Sequence, residues 1–209
     1  MRIAVLGTGE VALTLVPAFL GSGHDVVVGT RDPAAALARN PSFGVPVTVF
    51  AEAVRDADLV VNAISGPVCV TALAPLAEAL AGRILMDVSS PFDFSREDEI
   101  VLDPVNTDSL GERLQRALPE ARVVKTFNTV AAEVMTAPEV AGADHSVFLS
   151  GDDDSAKGVV GDLLRGWGWS DVIDLGPIGT ARATEMMLPM WMTLYKTLGT
   201  HRFGFKIVR

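Results

Sequence analysis

Residues 2–12 read RIAVLGTGEVA. The run 2–6 is apolar enough for a buried strand, and 11–20 is apolar enough for a packed helix. Between them stands Gly7-Thr8-Gly9-Glu10-Val11-Ala12, with the spacing G-x-G-x-x-A. In such a strand–turn–helix the first glycine permits a tight turn and the second lets the backbone approach a pyrophosphate. A small third residue lets the helix lie close to the strand. Free amides at the helix N-terminus then face the anion, helped by the helix dipole. Gly7, Thr8, Gly9, Glu10, Val11 and Ala12 are therefore the candidate phosphate loop of a dinucleotide site. Glu10 is expected to turn its carboxylate to solvent, and Pro17 to kink or break the helix.

Working outward, further strands are expected at 25–29, 45–49, 59–64 and 83–88, with helices at 33–39, 50–55 and 68–80. This alternation implies βαβ units, a parallel sheet and right-handed crossovers. The stretch 90–109, SPFDFSREDEIVLDPVNTDS, is polar and reads as a long connection. Next come a helix at 110–117, a sixth strand in ARVVKTF (121–127) and a short helix at 131–135. A strand at 146–150, a helix at 153–165, a strand at 171–175 and a long helix at 181–198 complete the chain. The expected fold is α/β: a Rossmann-type doubly wound parallel sheet with a smaller C-terminal α/β addition.

The second strand ends in VVVGTRDP (26–33). An NAD site usually carries Asp or Glu there, for the ribose 2′-hydroxyl. Thr30 and Arg31 instead offer a hydroxyl and a guanidinium fork, which suit a 2′-phosphate. NADP is thus the expected dinucleotide. Asp32 before Pro33 fits a helix N-cap with proline at the first helical position. Residues 1–125 are then the expected NADP-binding domain, and 126–209 a smaller part completing the acceptor cleft.

Further contacts are expected where later strands end. These are Ile64, Ser65 and Gly66 in NAISGP, Ser89 and Ser90 in DVSSP, and Phe127, Asn128 and Thr129 in KTFNTV, the last near the nicotinamide.

Composition narrows the partners. The 209 residues are 49% hydrophobic and 21% charged, with net charge −9, which disfavours nucleic acid and calls for a local positive site to hold an anion. The single cysteine, Cys69, lies in an apolar run and is expected as a small buried hydrophobe in a reducing compartment. Residues 59–77 carry no charge, but Asn62, Gly66, Pro67 and Pro75 argue for strand, turn and helix rather than a membrane span. A cytoplasmic location is expected. The three histidines lack ligand spacing, so no metal site is expected.

These pieces resemble the NADPH:F420 oxidoreductase family, the coenzyme F420-dependent NADP reductases. The likeness rests on IAVLGTGEVALTL, GHDVVVGTRDP, VVKTFNTVAAEVM, VFLSGDDDSAK, DLGPIGTARATEMM and FGFKIVR, in order along nearly the whole chain. NAISGPV departs from the family's Val-Pro type of turn. The resemblance implies hydride transfer between nicotinamide C4 and deazaflavin C5, with the rings stacked between the two parts of the chain. Such chemistry needs orientation and a dry site rather than a general base, so no catalytic side chain is expected. The apolar MMLPMWMTLY could line a ring pocket through Met187, Leu188, Met190 and Trp191, or form a core or homodimer face. The small-molecule acceptor stays open at this point: coenzyme F420, a flavin, ferric iron, or an imine such as pyrroline-carboxylate. A non-catalytic NADPH sensor is the rival from another class.

Overall fold

The structure is a computed structural model describing every residue except Ser42, Pro67, 94–99 and Ala143. Strands β1 (Arg2–Leu6), β2 (Asp25–Thr30), β3 (Val47–Val49), β4 (Leu59–Asn62), β5 (Ile84–Asp87) and β8 (Arg122–Lys125) form one parallel sheet. Their order is β3-β2-β1-β4-β5-β8. The connections reverse direction between β1 and β4, and there the carboxyl ends leave a crevice.

Helices cover both faces. Ile3, Val5, Leu59, Val61, Ile84 and Met86 pack with α1 (Glu10–Gly21), α7 (Ala132–Met135) and α8 (Asp154–Gly166). The alternate residues Ala4, Leu6, Val60 and Leu85 pack with α3 (Phe50–Val54), α4 (Val68–Leu73), α5 (Ala77–Leu80) and α6 (Leu110–Ala117). Successive strand side chains point to opposite faces, so a strand buried on both faces reads as a largely apolar run.

Proline sets several boundaries. The segment expected as one helix at 68–80 is α4, a 3₁₀ turn Ala74–Leu76 containing Pro75, and α5. The helix expected at 181–198 is two, α9 (Ala181–Glu185) and α10 (Leu188–Leu198), with Pro189 in the first turn of the second. Pro17 does not break α1, which runs unbroken to Gly21 with Pro17 on its exposed side. Asp32 caps α2 (Pro33–Arg39) through Oδ1, which accepts the Ala35 amide at 2.9 Å. The expected plain connection at 90–109 contains an antiparallel pair, β6 (Phe92–Asp93) with β7 (Val101–Leu102), while 94–99 lie outside the described residues.

Beyond β8, β9 (Ser146–Leu149) and β10 (Asp171–Asp174) form a separate two-stranded parallel sheet. It meets β8 through a single bridge: Lys125 N donates to Ser150 O at 2.8 Å and Ser150 N to Lys125 O at 3.1 Å. The C-terminal tail lies along β9, with Ser146 N donating to Phe205 O at 2.7 Å. Among the described residues no helix is long and apolar enough to cross a membrane.

Candidate functional site

The glycine loop lies at the crevice between β1 and β4. Gly7 has φ +123°, and a Cβ there would sit 2.5 Å from Ala63 O, so backbone conformation and packing both require glycine. Gly9 differs. Its φ is −84°, and an added Cβ would meet no protein atom within 4 Å. Neither strain nor packing calls for glycine at position 9, whose backbone is left open to the cleft. No side chain caps α1, so its first amides remain available to an anion. The loop therefore fits a dinucleotide pyrophosphate.

Two adjoining clefts flank the loop. The outer one, of about 360 Å³, is lined by Gly7, Thr8, Gly9, Thr30, Arg31 and Arg39, with Phe50, Ala63, Ile64, Ser65, Val68 and Ala72. Thr30 is held at the end of β2 by pairing with Val49 of β3. Gly29 before it packs tightly, since a Cβ there would lie 2.5 Å from Leu6 Cδ2 and would make that side chain shift. Neither Arg31 nor Arg39 has an ion-pair partner among the described residues; Arg39 spends only its Nε, on Ala35 O at 3.3 Å. In a chain of net charge −9, two guanidinium groups without ion-pair partners among the described residues make this cleft locally positive. Arg39 escaped the sequence reading because nothing in the motif marks it. It is one helix length away from Thr30, and α2 folds it back.

The inner cleft, of about 250 Å³, is lined by Gly9, Glu10, Val11, Ala63, Ile64, Ser65, Gly66, Val88, Ser89, Ser90 and Phe92. It shares Gly9, Ala63, Ile64 and Ser65 with the outer one, so the two form a single track across the loop. Ser89 is fixed from below: its amide and hydroxyl donate to Asp87 Oδ1 at 3.1 and 2.6 Å. Cys69 Sγ lies 3.8 Å from Ser89 Oγ, and burial pushes its thiol up to about 11, so it is inert at neutral pH.

The structure thus brings Gly7, Thr8, Gly9, Glu10, Val11, Thr30, Arg31, Ile64, Ser65, Gly66 and Ser89 to the two clefts. Ala12 is buried under the loop. Phe127 and Asn128 line neither cleft. Phe127, at φ 61°, turns its ring into the core, 6.3 Å from Trp167 and 5.8 Å from Trp169 between centroids. Asn128 Nδ2 donates to Thr184 O at 2.8 Å, fastening α9 to the end of β8. Met187, Leu188, Met190 and Trp191 also line neither cleft. Leu188 is buried, Met190 is exposed, and Trp191 stacks on Tyr195 and lies tilted against Phe203 at 5.4 Å between centroids. Among the described residues no group of three or more His, Cys, Asp or Glu side chains could hold a metal.

With this geometry established, similarity to known proteins becomes informative. Residues 2–91, which carry both clefts up to Ser90, match the family described as NADP oxidoreductase, coenzyme F420-dependent. A crystal structure of a proposed F420-dependent NADP-reductase from Arthrobacter sp. FB24 is 52% identical over the whole of both chains, with TM-score 0.96. The chain belongs to this family. The family is one of NADP oxidoreductases. The F420-dependent NADP reductase of Methanothermobacter marburgensis is 26% identical, over 93% of this chain and 92% of that one. Metalloreductase STEAP3 of Rattus norvegicus is 32% identical over 91% of this chain, which spans only 38% of that protein. Chains that share this NADP-binding architecture thus carry different acceptor names.

Proposed function

We propose that the protein transfers hydride between NADP(H) and the deazaflavin coenzyme F420. The observation that carries this reading is the continuous track over a glycine loop, with two uncommitted arginines at one end and a serine-lined cleft at the other. Thr30, Arg31 and Arg39 would grip the 2′-phosphate. Gly7, Thr8, Gly9 and the first amides of α1 would hold the pyrophosphate, and Ser65, Gly66, Ser89 and Ser90 would seat the nicotinamide. The nicotinamide supplies the hydride chemistry. The chain orients it, excludes water and needs no proton donor of its own. Full-length likeness to reductases named for F420 supports the deazaflavin as acceptor.

A second reading, reduction of a flavin or a metal ion, is favoured by the 32% identity to a metalloreductase. Anaerobic mixing of the protein and NADPH with F420, FMN or a ferric chelate separates the two. Rapid bleaching of F420, with the others slower by at least about a hundredfold, is the expected result. Turnover of FMN or iron with F420 left unreduced contradicts the proposal.

A further inference from the structure

Below the inner cleft, a row of polar residues crosses three strands in register. Asn62, Asp87 and Lys125 are neighbours at the carboxyl ends of β4, β5 and β8. Lys125 Nζ donates to Asp87 Oδ2 at 2.8 Å and to Ser89 O at 2.6 Å, and lies 3.0 Å from Glu185 Oε1. Glu185 arrives from α9 and also accepts the amides of Leu110 at 2.7 Å and Gly111 at 3.0 Å, at the start of α6. Lys125, Asp87 and Glu185 are 1%, 0% and 2% exposed, so water does not screen them.

Each carboxylate is surrounded by donors. Asp87 accepts from Asn62, Lys125 and both the amide and hydroxyl of Ser89. Glu185 accepts from two amides and faces the ammonium. All the hydrogen bonds named here are ones the two carboxylates accept, and each carboxylate carries a formal charge of −1. Burial disfavours the Lys125 cation, but Asp87 and Glu185 outweigh that and hold its pKa above the ordinary lysine value. One cation against two anions leaves a buried net charge of −1 directly beneath Ser89.

We propose that this cluster tunes the cofactor: it favours the oxidised, cationic nicotinamide over the reduced, neutral one, and so biases bound NADPH toward giving up its hydride. The inference rests on the inner cleft being the nicotinamide seat. When a hydride, two electrons and one proton, passes from the dihydronicotinamide carbon to a two-electron acceptor such as a deazaflavin, a positive charge appears on the ring. A fixed negative charge in a poorly screened site stabilises that charge without reorganising. The overall equilibrium in solution is unchanged; only the internal equilibrium of the bound couple moves. Asp87, Lys125 and Glu185 are positioning residues, since they reach the cleft through Ser89. Glu10 also brings a carboxylate to the cleft, but it is exposed, and salt screens it.

The test is calorimetric titration of NADP⁺ and NADPH into wild type, Glu185→Gln, Asp87→Asn and Glu10→Gln at low and high salt. The wild type is expected to bind NADP⁺ at least as tightly as NADPH. Each buried substitution is expected to lower the NADP⁺:NADPH affinity ratio about tenfold at both salt levels, which raises the bound couple's potential by about 30 mV. Glu10→Gln is expected to change the ratio only at low salt. Equal weakening of both ligands by Glu185→Gln and Asp87→Asn would reduce the cluster to a structural role and overturn the proposal. Should neither variant fold, the wild type decides, and a tenfold preference for NADPH rejects the idea. Failure of the wild type to bind either ligand would instead remove the NADP reading itself.

Discussion

Gly7 and Gly9 stand two residues apart yet answer to different constraints. Gly7→Ala forces a Cβ to within 2.5 Å of Ala63 O at φ +123°, and is expected to lower the melting temperature sharply. Gly9→Ala touches nothing within 4 Å and is expected to melt like wild type while losing tenfold or more in NADPH affinity. A Gly9→Ala protein that binds NADPH normally would move the phosphate site elsewhere. Removing one charge-assisted contact to the 2′-phosphate costs about 1.5–3 kcal/mol. Arg31→Ala is therefore expected to weaken NADPH roughly tenfold to a hundredfold and leave NADH unchanged, with Arg39→Ala acting in the same direction. Equal losses for both nucleotides, measured by fluorescence titration, would refute the assignment. That Thr30 and Arg31 would line the cleft beside the glycine loop was legible, because the end of β2 lies next to that loop in this fold. Arg39 was not, because its place depends on how α2 packs back against β3. Phe127 lines neither cleft, its backbone at a positive φ and its ring packed in the core beside Trp167 and Trp169.

Elements were legible in proportion to how strongly a local pattern constrained them. β1, β4 and β5 are buried on both faces, so their central residues are apolar, with polar Asn62 and Asp87 only at the carboxyl ends of β4 and β5. Leu85, fully buried among α-helical neighbours, illustrates the cost of breaking one: Leu85→Ala is expected to destabilise by about 2–5 kcal/mol in denaturant titration. A loss below about 1 kcal/mol would mean that this face collapses around the cavity. Asp32-Pro33 marked the start of α2 through two independent signals, and the structure contains the cap. Asp32→Ala is expected to cost about 1 kcal/mol. Elsewhere local rules fell short. Pro17 lies on the solvent side of α1, where water can serve the carbonyl that its missing N–H leaves unpaired. Pro189 split the last helix because its first-turn preference suits a new start after Met187. The pair β6–β7 is two residues per strand, too short for any periodicity to show.

At the scale of the molecule, contacts remote in sequence join the C-terminal part to the sheet, and these were invisible in any linear pattern. Asp87, Lys125 and Glu185 stand in three separate stretches of the sequence, and only β-register and the docking of α9 bring them together. The tail is tied down in the same way. Asp171 accepts from Ser146, Lys206 and Arg209, which together pull its carboxyl down to about 2 from an ordinary 3.8. A depressed folded-state pKa means that this tether is fully present above the ordinary carboxylate range and is lost as pH falls through about 2. Carbon NMR of the Asp171 carboxyl is expected to show that inflection, with the tail amides shifting alongside it; an inflection near 3.8 would show the tail to be untethered. Across the whole chain, the central claim is that two clefts form one oriented track for NADP(H). A crystal structure of the NADP⁺ complex tests it most directly. The 2′-phosphate is expected between Arg31 and Arg39, the pyrophosphate over Gly9, and the nicotinamide against Ser65 and Ser89. A nucleotide bound in the reverse direction, or with its 2′-phosphate away from both arginines, would contradict it.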